Sequence, residues 1–104
     1  MEQPEARLQT ILDLDRMVHE PARLAILTVL AAAEEVEFLF LMQVTGLSKG
    51  NLSSHAQKLE TTGYVEVLKS FRGRIPSTRY RITAAGRSAL AAYHRQLTNV
   101  LGQV

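Results

Sequence analysis

Thr45-Gly46-Leu47-Ser48-Lys49-Gly50-Asn51-Leu52-Ser53-Ser54-His55-Ala56-Gln57-Lys58-Leu59 reads as a turn followed by a capped helix. Ser48 is the type of residue that closes a helix N-terminus, its hydroxyl accepting a bond from a free first-turn N–H. Beyond it, Leu52, Ala56 and Leu59 recur at i, i+4 and i+7, a narrow apolar stripe. The remaining surface carries Lys49, Asn51, Ser53, Ser54, Gln57 and Lys58, with His55 at the stripe's edge and Glu60 as the acidic residue at the far end. Cations and short hydrogen-bonding side chains are the groups that read phosphates and base edges. Gly46, after Leu39-Phe40-Leu41-Met42-Gln43-Val44, supplies the sharp bend between the two helices of a helix-turn-helix. Residues 39–62 are therefore expected to form that motif, with the second helix near 48–62. Taken alone, a capped helix with a solvated polar face explains the same residues. The flanking sequence favours the first reading.

Gly63 is placed to end the helix in the left-handed conformation, and the period then changes to two. Tyr64 to Phe71 reads as one strand and Ser77 to Ile82 as its partner, with Tyr80 and Ile82 on one face and Arg79 and Arg81 on the other. Arg72-Gly73-Arg74-Ile75-Pro76 is expected to be the connecting loop, since glycine permits a turn and proline cannot donate to a ladder. Thr83 can cap a last helix over 84–101. Its Leu90, Tyr93, Leu97, Val100 and Val104 are spaced 3, 4, 3, 4, a seam two heptads long. On the N-terminal side, Leu8, Ile11, Leu12, Leu14, Met17 and Val18 predict a helix over 5–19, and Pro21 suits the first turn of another over 21–33. Val36-Glu37-Phe38 fits either a short strand or the start of the next helix.

The 104 residues suffice for one domain with a single core, and 46% hydrophobic with 21% charged residues describes a globular chain. With no cysteine, disulfides, thiolate metal sites and cysteine nucleophiles are excluded. The acidic start, Met1-Glu2-Gln3-Pro4-Glu5, lacks a signal-peptide layout, and the apolar runs 22–33 and 36–44 are too short to span a bilayer. A cytoplasmic protein without membrane association is expected. The net charge of +2 conceals an asymmetry. Residues 1–45 carry three arginines against eight carboxylates, net −5, whereas residues 46–104 carry nine cations against two carboxylates, net +7. That distribution suggests a polyanionic partner for the second half. His19, His55 and His94 have no mutual i, i+3 or i+4 relation; Asp15 and His19 do, as a helix-end ion pair would. Histidines 19 and 94 are expected on the surface or at caps. Asp13 and Asp15 diverge around a helix, and neither a phosphate loop nor a nucleophile elbow is present. No enzyme activity, cofactor or metal is predicted.

The order helix, helix, helix-turn-helix, two-stranded wing, helix resembles the small one-domain winged-helix transcription regulators of the MarR and ArsR type. Three segments carry the likeness: residues 14–27 with His19, Pro21, Arg23 and Leu24-Ala25-Ile26-Leu27; Leu47-Ser48 through Leu52-Ser53, His55, Leu59 and Gly63-Tyr64-Val65; and Phe71-Arg72-Gly73-Arg74 through Pro76, Thr78, Tyr80, Ile82-Thr83 and Gly86-Arg87. The resemblance implies a mainly α fold with a small β-hairpin wing at 64–83, α+β overall. It further implies base contacts from Lys49, Asn51 and Ser54 and phosphate contacts from Ser53, His55 and Lys58. Wing contacts are implied for Arg72 and Arg74, with Gly73 between them and Arg79 nearby. Dimerisation is implied for the first and last helices, through Leu8, Ile11, Leu12, Leu90, Tyr93, Leu97, Val100 and Leu101. Where metal-sensing ArsR proteins carry cysteines, this chain has Phe40, Leu41 and Met42, which argues against metal sensing there. Gly50 costs its helix roughly 1 kcal/mol relative to alanine.

The expected function is sequence-specific binding of double-stranded DNA by a homodimer on a pseudo-palindromic operator. Two other readings remain open: a winged-helix protein-interaction or architectural module that binds DNA weakly, and a regulator with a small-molecule effector in an apolar cleft near Phe38, Phe40, Met17 and Tyr93.

Overall fold

Each helix after the first begins where the sequence brings a cap or a strand to it. The computed structural model describes residues 4–102. Along them run α1 (Pro4–Leu12), α2 (Pro21–Ala31), β1 (Val36–Glu37), α3 (Phe38–Thr45), α4 (Lys49–Thr62), β2 (Val65–Arg72), β3 (Ile75–Ile82) and α5 (Ala84–Leu101). The strands form one antiparallel sheet in the order β1-β3-β2.

Helix α2 is the hub. Pro21 sits in its first turn, and the Glu20 carboxylate accepts the Arg23 N–H at 2.7 Å. Ile26, Leu27 and Leu30 are buried among Leu41 of α3, Leu52, Ala56 and Leu59 of α4, Tyr80 and Ile82 of β3, and Leu90 and Tyr93 of α5. Each such side chain contributes about 1.5–3 kcal/mol by leaving water. Helix α4 is bounded as expected: Ser48 accepts the Asn51 N–H at 3.2 Å, and Gly46 and Gly63 adopt φ of 72° and 88° on either side.

The first helix departs from expectation, ending at Leu12 rather than at residue 19. The Asp15 carboxylate turns back to accept the N–H groups of Met17 and Val18 at 2.8 and 3.3 Å, a local turn that competes with helix. Its other oxygen receives the Tyr64 hydroxyl at 2.5 Å. Leu14 and Val18 are buried from within this turn, so the apolar spacing reflected core positions without a continuous helix. The expected Asp15–His19 ion pair is replaced by this network, and His19 Nδ1 instead meets the Tyr93 hydroxyl at 2.8 Å.

The hairpin is tighter than predicted. Arg72 pairs with Ile75, leaving a two-residue Gly73-Arg74 turn with Gly73 at φ 62°. A glycine with positive φ at the first central position, followed by a residue of negative φ, is the pattern that suits strand twist. Pro76 lies within β3 opposite Phe71, one rung from the turn. That rung is a non-hydrogen-bonded pair, so the missing N–H faces the open edge and costs the ladder nothing.

Thr83 starts α5, accepting the Gly86 N–H at 3.0 Å while donating its hydroxyl to the Gly63 carbonyl at 2.6 Å. Gly86 itself passes so close to β2 that an added Cβ would stand 2.2 Å from the Tyr64 carbonyl oxygen. Helix α1 packs along α5. Leu90 and Tyr93, expected at a dimer seam, are 6% and 3% exposed because they fill the chain's own core, and they have no surface left for a second copy. Val104 of the predicted seam lies outside the described residues. The radius of gyration is 15.9 Å with extents of 62 × 25 × 21 Å, against about 13 Å for a compact chain of this length.

Candidate nucleic-acid interface

One face of α4 closes the core and the other is open. Lys49, Asn51, Ser53, Ser54, Gln57 and Lys58 are exposed, and Leu52, Ala56 and Leu59 are buried beneath them. The first two turns carry no carboxylate, so the positive end of the helix dipole adds to Lys49. Lys49 and Lys58 make no ion pair among the described residues, which leaves both cations available to a polyanion.

His55 is held differently from its neighbours. Arg23 donates from Nη1 to its Nδ1 at 3.3 Å, and its Nε2 stands 3.9 Å from Glu20 Oε2. Arginine has no acceptor, so in this contact Nδ1 is the accepting nitrogen. The same guanidinium donates to the Met17 and Arg16 carbonyls at 2.8 and 3.2 Å. His55 thus braces α4 against the start of α2 and does not face outward as a phosphate contact would. Burial pushes the Glu20 carboxyl up, but the bond from the Arg23 N–H and the Arg23 charge outweigh it and leave it lowered.

The wing arginines divide into three kinds. Arg74, in the turn, has no acidic partner among the described residues. Arg72 pairs with Glu37 across an exposed gap, a type of contact that contributes about 0–1 kcal/mol and yields readily to a phosphate. Arg79 is tied to Glu35 at 2.5 Å and braces the approach to β1. Arg81 is divided between Glu66 at 3.0 Å and Glu35 at 3.8 Å, with its pKa raised first by the Glu66 bond. Arg79, expected at the interface, is therefore spent inside the chain. Alternation puts Arg72, Arg79 and Arg81 on the sheet face turned away from α4, while Lys69 and Phe71 share the face that packs on it.

Between α4 and that face lies a cleft of about 430 Å³, floored by the Phe38 and Tyr80 rings, whose centroids are 6.2 Å apart. Lys49, Ser53 and Gln57 line it from the helix and Lys69 and Thr78 from the wing. Lys69 and Gln57 were not on the sequence-based roster. The signal for Lys69 was its even spacing from Val65 and Val67. Burial, and then the Glu60 charge, raise the Tyr80 pKa. The apolar cleft expected from Phe38, Phe40, Met17 and Tyr93 does not form. Phe40 is exposed on α3, Met17 lies beside Ser54 and Lys58 on another flank of α4, and Tyr93 is buried against His19.

Residues 22–101 match the family model of a winged helix DNA-binding domain. The chain belongs to that family. This winged-helix chain is 38% identical over 79 residues to an uncharacterized protein, MJ0432, of Methanocaldococcus jannaschii, covering 75% of this chain and 85% of that one. Its fold is similar to a transcriptional regulator homologue from Pyrococcus horikoshii, with a TM-score of 0.85, 28% identity and coverage of 94% and 96% of the two chains. A MarR-family transcriptional regulator from Silicibacter pomeroyi shares the fold at a TM-score of 0.63 and 19% identity, over 94% of this chain and 63% of that one. The small winged-helix architecture inferred from sequence is thus confirmed, and the family is one of DNA-binding domains. Among the described residues, no helix is long and apolar enough to cross a membrane, and no three metal-ligating side chains cluster.

Proposed function

We propose that this winged-helix protein is a transcription regulator that binds a pseudo-palindromic operator as a homodimer. The observation that carries the reading is the open, carboxylate-free first half of α4 beside a cationic wing. Helix α4 enters the major groove, where Lys49, Asn51 and Ser54 meet base edges and Ser53 and Lys58 meet phosphates. Arg74, with Arg72 once released from Glu37, and the backbone of Gly73 reach the phosphates or minor groove alongside. Lys69 adds charge from the α4-facing side of the wing.

Support for the dimer comes from the α1–α5 end. Leu8, Ile11, Leu12 and Leu101 are large apolar side chains left exposed there, with Leu97 and Val100 half-buried between them. An apolar surface on paired helices is what a second copy covers. Two copies joined this way present two recognition helices to half-sites about 34 Å apart.

Selection of bound sequences from random duplexes tests the reading, with sedimentation of the free protein in parallel. A palindromic consensus with half-sites one helical turn apart and a dimeric protein are expected. Enrichment of nothing in particular by a monomer would leave only an architectural DNA binder. A second reading is favoured by the 430 Å³ cleft, whose aromatic floor and lysine rim suit a small aromatic anion. Such an effector would occupy Lys49 and Ser53 and compete with DNA, so a compound that stabilises the protein thermally must also release the duplex.

A further inference from the structure

Phe71 and Ile75 are 71% and 70% exposed, among the most exposed large apolar side chains of the described residues. Both flank the Gly73-Arg74 turn, and the register gives each its own face of the hairpin. Phe71, backed by Pro76 across the rung, continues the α4-facing surface beyond the cleft. Ile75, opposite Arg72, lies on the other side. Tyr80, opposite the half-buried Val67, is the outermost core residue of β3, so Ile75 stands five residues further out, about 17 Å at strand rise. A phenylalanine and an isoleucine at the tip of so short a hairpin each hold apolar surface in water, which a partner that took both faces of the tip would cover.

The surroundings indicate which partner. Lys69, Arg72 and Arg74 stand beside the two side chains, and the carboxylate that reaches this end of the wing, Glu37, is held by Arg72. An apolar protein surface has no use for that rim. A duplex minor groove does, because it sets anionic walls around apolar sugar and base faces. Resting on the DNA-binding reading, we infer that the wing tip is an apolar wedge that enters the minor groove beside the half-site and bends the duplex. A two-stranded hairpin is too broad for a groove about 6 Å wide. Only the turn and the side chains of Phe71, Ile75 and Arg74 can enter, and they widen the groove and unstack a base step as they do so. Pyrimidine–purine steps give way most easily, so the wedge selects a flexible step that no side chain reads directly.

The test uses a duplex recovered by the selection above, end-labelled for energy transfer, with 2-aminopurine at the step next to the half-site. Wild-type protein should shorten the end-to-end distance and brighten the 2-aminopurine. Phe71→Ala with Ile75→Ala should lose both signals and about 10-fold in affinity, with an unchanged salt slope. Arg74→Gln should keep the bend and lower the slope by about one. Phe71→Trp keeps an aromatic wedge and should retain both signals, and all variants should melt with the wild type because the positions are exposed. A duplex left straight by the wild type, or bent equally by the double alanine variant, overturns the wedge while leaving the recognition helix standing. Failure of the wild type to bind any duplex overturns both.

Discussion

Gly86 and Gly50 each lie in the first turn of a helix, and the structure predicts opposite outcomes for the same substitution. Alanine at either position gains about 1 kcal/mol in helix propensity. At Gly50 nothing lies within 4 Å of the added Cβ, so the gain should stand. At Gly86 the Cβ would meet the Tyr64 carbonyl oxygen at 2.2 Å and Ile82 Cγ1 at 2.9 Å, where ordinary contact begins near 3.4 Å. The carbonyl cannot simply move aside. It accepts the Thr83 N–H at 3.0 Å, and Thr83 in turn caps α5 and holds the Gly63 carbonyl. Overpacking costs about 1–3 kcal/mol, and a damaged cap adds about 1. Set against the propensity gain, Gly86→Ala should destabilise by about 1–3 kcal/mol and Gly50→Ala stabilise by about 1. At 4–8 °C per kcal/mol, the two melting temperatures should differ by roughly 8–32 °C. Thermal melts at one fixed protein concentration measure this, since self-association of any kind makes Tm depend on concentration. Equal stability of the two variants would refute the close approach of α5 to β2. Gly50→Ala also reports on function: tighter folding with weaker DNA binding would show that the backbone at 50 needs room beside a phosphate.

Asn51→Ala or Ser54→Ala should relax the base preference at one or two operator positions, each worth about 1–3 kcal/mol; equal weakening on every sequence would deny base reading. Replacing Arg72 and Arg74 together by glutamine should lower the slope of log affinity against log salt by about two, and an unchanged slope removes the wing from the interface. Leu12→Glu on the exposed side of α1 should yield a folded monomer by sedimentation with much weaker operator binding, and a persistent dimer would place the contact elsewhere. The Asp15 hydrogen bond, aided by burial, pushes the Tyr64 phenol up to about 12 from 10. A raised pKa contributes stability that is whole below pH 10 and is lost as pH climbs toward 12. Tyr64→Phe should therefore be less stable than wild type at neutral pH and lose less stability between pH 10 and 12; parallel alkaline melts for the two proteins would contradict this.

Helix α4 is legible in the sequence because its signals are local. Ser48, Gly46 and Gly63 act within a turn of themselves, and the Leu52, Ala56, Leu59 stripe needs only the helical period. The wing's alternation and the Thr83 cap were legible for the same reason. What remained hidden was set by partners far along the chain. Helix α1 stops at Leu12 because Asp15 turns its carboxylate to nearby N–H groups and to Tyr64, 49 positions away. Arg79 is drawn into an ion pair because the approach to β1 brings Glu35 beside it, and His55 turns inward because α2 delivers Arg23. Leu90 and Tyr93 obey the heptad spacing of a seam, yet their side chains fill the core beneath α2, where burial within one chain needs no second copy. Periodicity states that a face is apolar, and only packing states what covers it.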